Sequence, residues 1–241
     1  MKRLYFFLAF LLATLVLNAQ TTGTVINDPN AELRSVAGFH AIMVEDGIDL
    51  YLIQGKEESV AVSANKDEYR SKIVTSVVDG VLKIYFNENG VVISWRDRKL
   101  RAYVSCKELD AIRAYGGSDV IIKGTLQGKD LQIQASGGSD LVGGVDISGQ
   151  LNVEANGGSD VKLNGKANNM NVKVYGGSDF WGYEMVATYA VIEAHGGSDV
   201  NVSVEKEMSA EARGGSDINY KGSPVIKYSA ATGGGSVTRK S

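Results

Sequence analysis

Apolar and polar residues alternate with a period of two through most of this chain, in short runs broken by glycine. In the first half the runs are 39–44, 48–53, 59–62, 73–77 and 81–86. Each is rich in β-branched or aromatic residues, and Asp46-Gly47, Gly55, Asp79-Gly80 and Asn89-Gly90 separate them, so a series of strands is predicted. Residues 66–72 leave room for one helical turn. Both prolines, Pro29 and Pro224, lie outside the runs, as pairing strands require.

From about Lys99 the pattern becomes a repeat. Gly-Gly-Ser-Asp starts at Gly116, Gly137, Gly157, Gly176, Gly196 and Gly214, and a degenerate Gly-Gly-Gly-Ser starts at Gly233, at intervals of 21, 20, 19, 20, 18 and 19 residues. Ahead of the glycines, in 131–135, 151–155, 170–174, 190–194 and 208–212, the first, third and fifth positions are nearly all apolar. Behind them stand Val120, Leu141, Val161, Phe180, Val200, Ile218 and Val237. Each repeat therefore holds at least two strands and no helical period. A fixed period without helix or a leucine-rich consensus predicts an all-β, single-stranded parallel β-helix with three-sided coils of about twenty residues. Coils stack ~4.8 Å apart, so seven make a rod of ~30 Å. The glycines are expected to supply positive φ and the close approach of stacked turns.

In register, Asp119, Asp140, Asp160, Asp179, Asp199 and Asp217 form a column of carboxylates, and alternation turns the serines before them inward. Adjacent charges ~5 Å apart in water repel by ~0.8 kcal/mol. A charge-assisted hydrogen bond from a turn N–H contributes ~1.5–3 kcal/mol, enough for each Asp to cap its own corner. The other reading of this ladder is a column of calcium ligands, against which stands a spacing twice that of the nine-residue calcium β-roll.

The N-terminal segment predicts an exported chain. Met1-Lys2-Arg3, the apolar run 4–17 and Asn18-Ala19-Gln20 make a secretory leader with cleavage expected after Ala19. No cysteine follows it to carry a lipid, and the run is too short to span a bilayer. Taking Lys2 and Arg3 from 25 basic residues leaves 23 against 28 acidic, a formal charge of −5, which argues against nucleic acid or an anionic membrane as partner. Cys106, the one cysteine, has no internal partner and reads as a half-buried strand residue.

No catalytic constellation emerges. His40 and His195 lack partners at a recognisable spacing, and no zinc spacing, phosphate loop or nucleophile elbow is present. The outward positions before the glycines are Tyr115, Ser136, Asn156, Tyr175, His195, Arg213 and Thr232. Trp181, Tyr183 and Tyr189 interrupt an otherwise short polar side near Tyr175, as sugar-stacking aromatics or as packing beneath a longer loop. The candidate ligand-binding residues are Tyr175, Trp181, Tyr183 and His195. Trp95 and the basic run 96–101 read as a solvated loop or edge guard.

The order of motifs, from 39–44 through Gly47, Gln54-Gly55, Val60-Ala61-Val62, Asp79-Gly80 and Leu109-Asp110-Ala111-Ile112 into Gly116-Gly117-Ser118-Asp119-Val120, resembles the head GIN domain family. This family, labelled auto-transporter adhesin, is common in exported proteins of Bacteroidetes. The resemblance implies a right-handed, pectate-lyase-like β-helix, an exported location at the periplasm or cell surface, and no established catalytic residues; no cofactor is expected. No translocator barrel or sorting domain is seen, so self-transport is not expected. The resulting division is a leader at 1–19, a polar segment at 20–38, and a head GIN-like domain at 39–241. Within that domain 39–105 is a β-rich N-terminal half and 106–241 is the repeat. The expected function is non-enzymatic adhesion to a glycan or envelope component, the alternatives being a polysaccharide-acting enzyme and a structural or sensory protein that binds another protein.

Overall fold

The computed structural model describes residues 27–88 and 98–241. The leader, the Asn89-Gly90 turn and Trp95 lie outside these residues. The first part comprises β1 (Glu32–Arg34), β2 (Ala41–Val44), β3 (Asp49–Gln54), β4 (Ser59–Ser63), the helical turn α1 (Asp67–Arg70), β5 (Ile73–Val78), β6 (Val81–Phe86) and β7 (Arg101–Cys106). The repeat supplies β8 (Ala111–Tyr115), β9 (Val120–Gly128), β10 (Leu131–Ser136), β11 (Leu141–Asn156), β12 (Asp160–Tyr175), β13 (Asp179–His195), β14 (Asp199–Arg213), β15 (Asp217–Gly222), β16 (Val225–Thr232) and β17 (Ser236–Arg239).

These strands wind into a β-solenoid whose rungs pair in parallel. The residues before each glycine corner build one sheet, β8 on β10, then the C-terminal parts of β11 to β14, then β16. The residues after the corner build another, β9 on the N-terminal parts of β11 to β14, then β15 and β17. In β13 the inward side chains fall into three sets: Phe180 and Gly182, Met185 and Ala187, and Ala190, Ile192 and Ala194. The parity slips between sets mark bends, as in a three-sided coil. Inward residues of successive rungs, such as Val153, Val172, Ile192 and Ala210, are all no more than 2% exposed and form one continuous core.

The first part of the chain adds to both sheets. β2 lies parallel between β6 and β8, and β3 lies parallel between β7 and β9. β2 and β3 thus form a rung whose corner, Asp46-Gly47, takes the place of a glycine pair at φ of 65° and 71°. Chain order and stacking order part here, because β6 and β7, later in sequence, sit one rung further out. Antiparallel strands finish this end: β5 on β6, β4 on β7 and β1 on β4. Among the described residues no helix is long and apolar enough to cross a membrane.

Candidate functional site

The Gly-Gly-Ser-Asp corner sets the geometry of every exposed column, and its residues have separate tasks. Gly157 and Gly158 have φ of 67° and 77°, a region that costs an L-residue roughly 1–2 kcal/mol. A Cβ on Gly157 would lie 3.3 Å from the Gly137 nitrogen, whereas one on Gly158 would meet nothing within 4 Å. Close approach therefore constrains the first glycine only, and the second is required by its backbone angle alone. The serine is the inner tie. Ser118, Ser139, Ser159, Ser178, Ser198 and Ser216 are each 0% exposed. The Oγ of Ser139 accepts the N–H of Ser118 at 3.0 Å, and that of Ser159 accepts the N–H of Ser139 at 3.0 Å. Ser178 Oγ accepts the N–H groups of both Gly158 and Ser159 at 3.0 Å.

The aspartates face outward. Four of the six carboxylates accept the N–H of the Asp one rung on: Asp140 donates to Asp119 and Asp160 to Asp140, both at 3.1 Å, then Asp179 to Asp160 at 3.2 Å and Asp199 to Asp179 at 3.0 Å. The Asp thus ties adjacent rungs instead of capping its own corner, a correction to the sequence expectation. The column is longer than the repeat, since Asp49 continues it beyond Asp119 and Arg101 stands in register beyond Asp49. At the other end Ser236 occupies the Asp position, and its hydroxyl donates to Asp217 at 2.7 Å. Burial pushes the carboxyls of Asp49, Asp119, Asp160 and Asp199 above their ordinary range, and neighbouring carboxylates push the same way. Among the described residues no three His, Cys, Asp or Glu side chains converge as a metal site.

Beside the aspartates runs a second outward column, two residues further along each strand. Its members in register are Tyr103, Tyr51, Ile121, Val142, Lys162 and Trp181, followed by Asn201, which is buried. Tyr51 and Tyr103 stack at 5.3 Å and 20°. Trp181 is 46% exposed, a large apolar surface left open on a rigid sheet. Together Asp119, Asp140, Asp160, Val142, Lys162 and Trp181 border a shallow groove of about 480 Å³. Its chemistry is an aromatic plate and an aliphatic floor flanked by carboxylate acceptors and one ammonium donor.

The four candidate binding residues do not converge. Tyr175 and His195 are register neighbours before the corner, with rings 5.3 Å apart at 60°. Trp181 projects from the sheet after the corner. Tyr183 sits near the next bend, with Lys221 Nζ 4.9 Å from its ring centre. Of the four, Trp181 alone borders the acidic groove. Sequence reading missed Val142, Ile121 and Lys162 as its neighbours, although the position two after each Asp gives them directly. It also missed Asp49, whose signal was the Asp46-Gly47 turn two residues earlier. His40, without a partner at a recognisable spacing, is brought to Asp110, Nδ1 to Oδ2 at 2.8 Å, across 70 residues of chain.

Three comparisons bear on this arrangement. Residues 38–224 match the family described as "Putative auto-transporter adhesin, head GIN domain". No protein of curated function matches the chain. Among solved structures, a "putative adhesin" from Bacteroides fragilis is similar at 23% identity and a TM-score of 0.80, over 87% of this chain and 96% of that one. One from Parabacteroides merdae is similar at 17% identity and a TM-score of 0.66, over 88% and 95%. One from Parabacteroides distasonis is similar at 18% identity and a TM-score of 0.63, over 87% and 96%. At these identities the likeness establishes the fold.

Proposed function

Since the chain belongs to the head GIN domain family of auto-transporter adhesins, we propose that it is an exported binding protein that holds a glycan of an envelope or cell surface in the groove beside Trp181, without chemistry of its own. The observation that carries this reading is Trp181, 46% exposed on an outward column of the stacked sheet, between Lys162 and Asn201. An indole face offers an apolar plate against which the C–H face of a pyranose can stack. Asp140, Asp160 and Lys162 border the same groove and offer acceptors and a donor for hydroxyls or an amino group. Because rungs are tied through buried serines and main-chain ladders, the site requires little ordering on binding.

The test is a glycan array probed with the mature chain and with Trp181→Ala, each with calcium and with a chelator. A defined set of glycans bound by the wild type and lost in Trp181→Ala supports the reading. Identical profiles for the two proteins, or no glycan bound by the wild type, refutes it. Binding that requires calcium would give the aspartate column a ligand-bridging role, since carboxylates are hard oxygen ligands.

A further inference from the structure

We propose that the sheet before the corner carries a second site, a groove that takes a neutral, linear glycan along the solenoid axis. It lies on a different face from Trp181 and stands or falls separately from the reading above. Two outward columns frame it. One is Gln150, Asn169, Tyr189 and Glu207, and the other, two residues along each strand, is Asn152, Asn171, Val191 and Ser209. These residues border a groove of about 410 Å³.

Three features identify the ligand class. The first is charge. Lys173 Nζ meets Glu193 at 3.3 Å and Lys227 Nζ meets Glu207 at 3.3 Å, so the charges around the groove are internally paired. The remaining polar groups are amides and the hydroxyls of Tyr189 and Ser209, which both donate and accept and suit hydroxyls better than ions. The second is an unmet acceptor: Asn171 Oδ1 is buried and has no hydrogen-bond partner, while Asn152 Oδ1 receives the Gln150 amide at 3.2 Å. Rotation about the last side-chain bond of Asn171, a broad torsion for an amide, would bring that oxygen to a hydroxyl donor in the groove. The third is an apolar surface continuous with the amides, where Tyr189 and Val191 stay 38% and 48% exposed. A pyranose presents hydroxyls at its rim and C–H groups on its face, and this groove offers a counterpart to each. Rungs recur every ~4.8 Å, close to the advance of one sugar in an extended chain, so successive rungs meet successive sugars.

The experiment is calorimetric titration of the mature chain with cellulose-, xylan- and mannan-derived oligosaccharides of increasing length, and with a pectin-derived acidic series. At least one neutral series is expected to bind, with affinity rising until about four sugars cover the rungs and then levelling. Tyr189→Ala and Asn171→Ala are each expected to weaken it roughly tenfold. Trp181→Ala and added salt are expected to leave it unchanged. Tyr189 is exposed, so its variant keeps the fold, which circular dichroism verifies. Failure of every neutral series to bind, preference for the acidic series, or loss of binding in Trp181→Ala but not in Tyr189→Ala would each overturn the proposal.

Discussion

Replacing Ser178 by Ala removes one hydroxyl and orphans two main-chain donors. In the native solenoid its Oγ accepts the N–H of Ser159, which is buried, and that of Gly158, which is part-buried, both at 3.0 Å. A fully buried donor without a partner costs about 1–3 kcal/mol, while one at the edge recovers part of its loss from water. The sum is about 2–3 kcal/mol, large beside the marginal stability of a domain. Ser136→Ala is the matched control: it also deletes a serine hydroxyl, but one bonded to Asn156 Oδ1 on the outer face. That change is expected to cost below about 1 kcal/mol. Urea unfolding followed by circular dichroism measures both, and amide exchange locates the effect. In a stacked array the loss falls first on the neighbouring rungs, so the amides of Gly158 and Ser159 should exchange faster in Ser178→Ala. Equal midpoints for the two variants, with exchange at Ser159 unchanged, would refute the inner ladder as a source of stability.

The corner glycines separate in the same assay. Gly157→Ala is expected to destabilise more than Gly158→Ala, because both pay for positive φ but only the first meets the rung beneath, and the reverse order of midpoints would contradict this. Asp160→Asn keeps an oxygen for the Asp179 N–H while removing a charge from the column. It is expected to leave neutral-pH stability unchanged or raised by a few tenths of a kcal/mol, and a loss above about 1 kcal/mol would refute the repulsion argument. The folded carboxyls of Asp49, Asp119, Asp160 and Asp199 are raised, so what they contribute to stability is complete below the unfolded carboxylate pKa of 3.8 and is lost as pH rises through the folded values. Melting curves between neutral pH and about pH 4 should therefore lose slope in Asp160→Asn relative to wild type. Cys106 is buried, and that burial pushes its thiol up to about 11. A thiol reagent at neutral pH should label it only on unfolding, and rapid native labelling would contradict its burial.

How much of this was legible in the sequence follows from what each residue reports. Period-two alternation places Val153, Val172 and Ile192 inward without ambiguity, and the recurring glycine pair announces a backbone angle that few other residues adopt. The turn at α1 was visible for the same local reason. The rung made by β2 and β3 was not, because Asp46-Gly47 achieves the corner with a different residue pair and Ile48 stands where the repeat has serine, itself 0% exposed. Nor does local pattern reveal that β6 and β7 stack outside β2 and β3, since pairing between strands distant in sequence leaves no mark in the alternation of either. Spacing fixes which aspartates align but not which N–H lies nearest to each, so the donor from the next rung is not legible in the sequence. Closeness in sequence groups Tyr175 with Trp181, whereas the corner between them sends the two to different sheets.

The most direct test of the binding account uses Trp181 as its own reporter. The chain has two tryptophans, so in a Trp95→Phe background the fluorescence comes from Trp181 alone. Titration with the glycans selected on the array should quench or blue-shift that emission along a saturable curve, with the same midpoint as binding measured by calorimetry. Saturable binding by calorimetry with no change in Trp181 emission would place the ligand elsewhere and contradict the account.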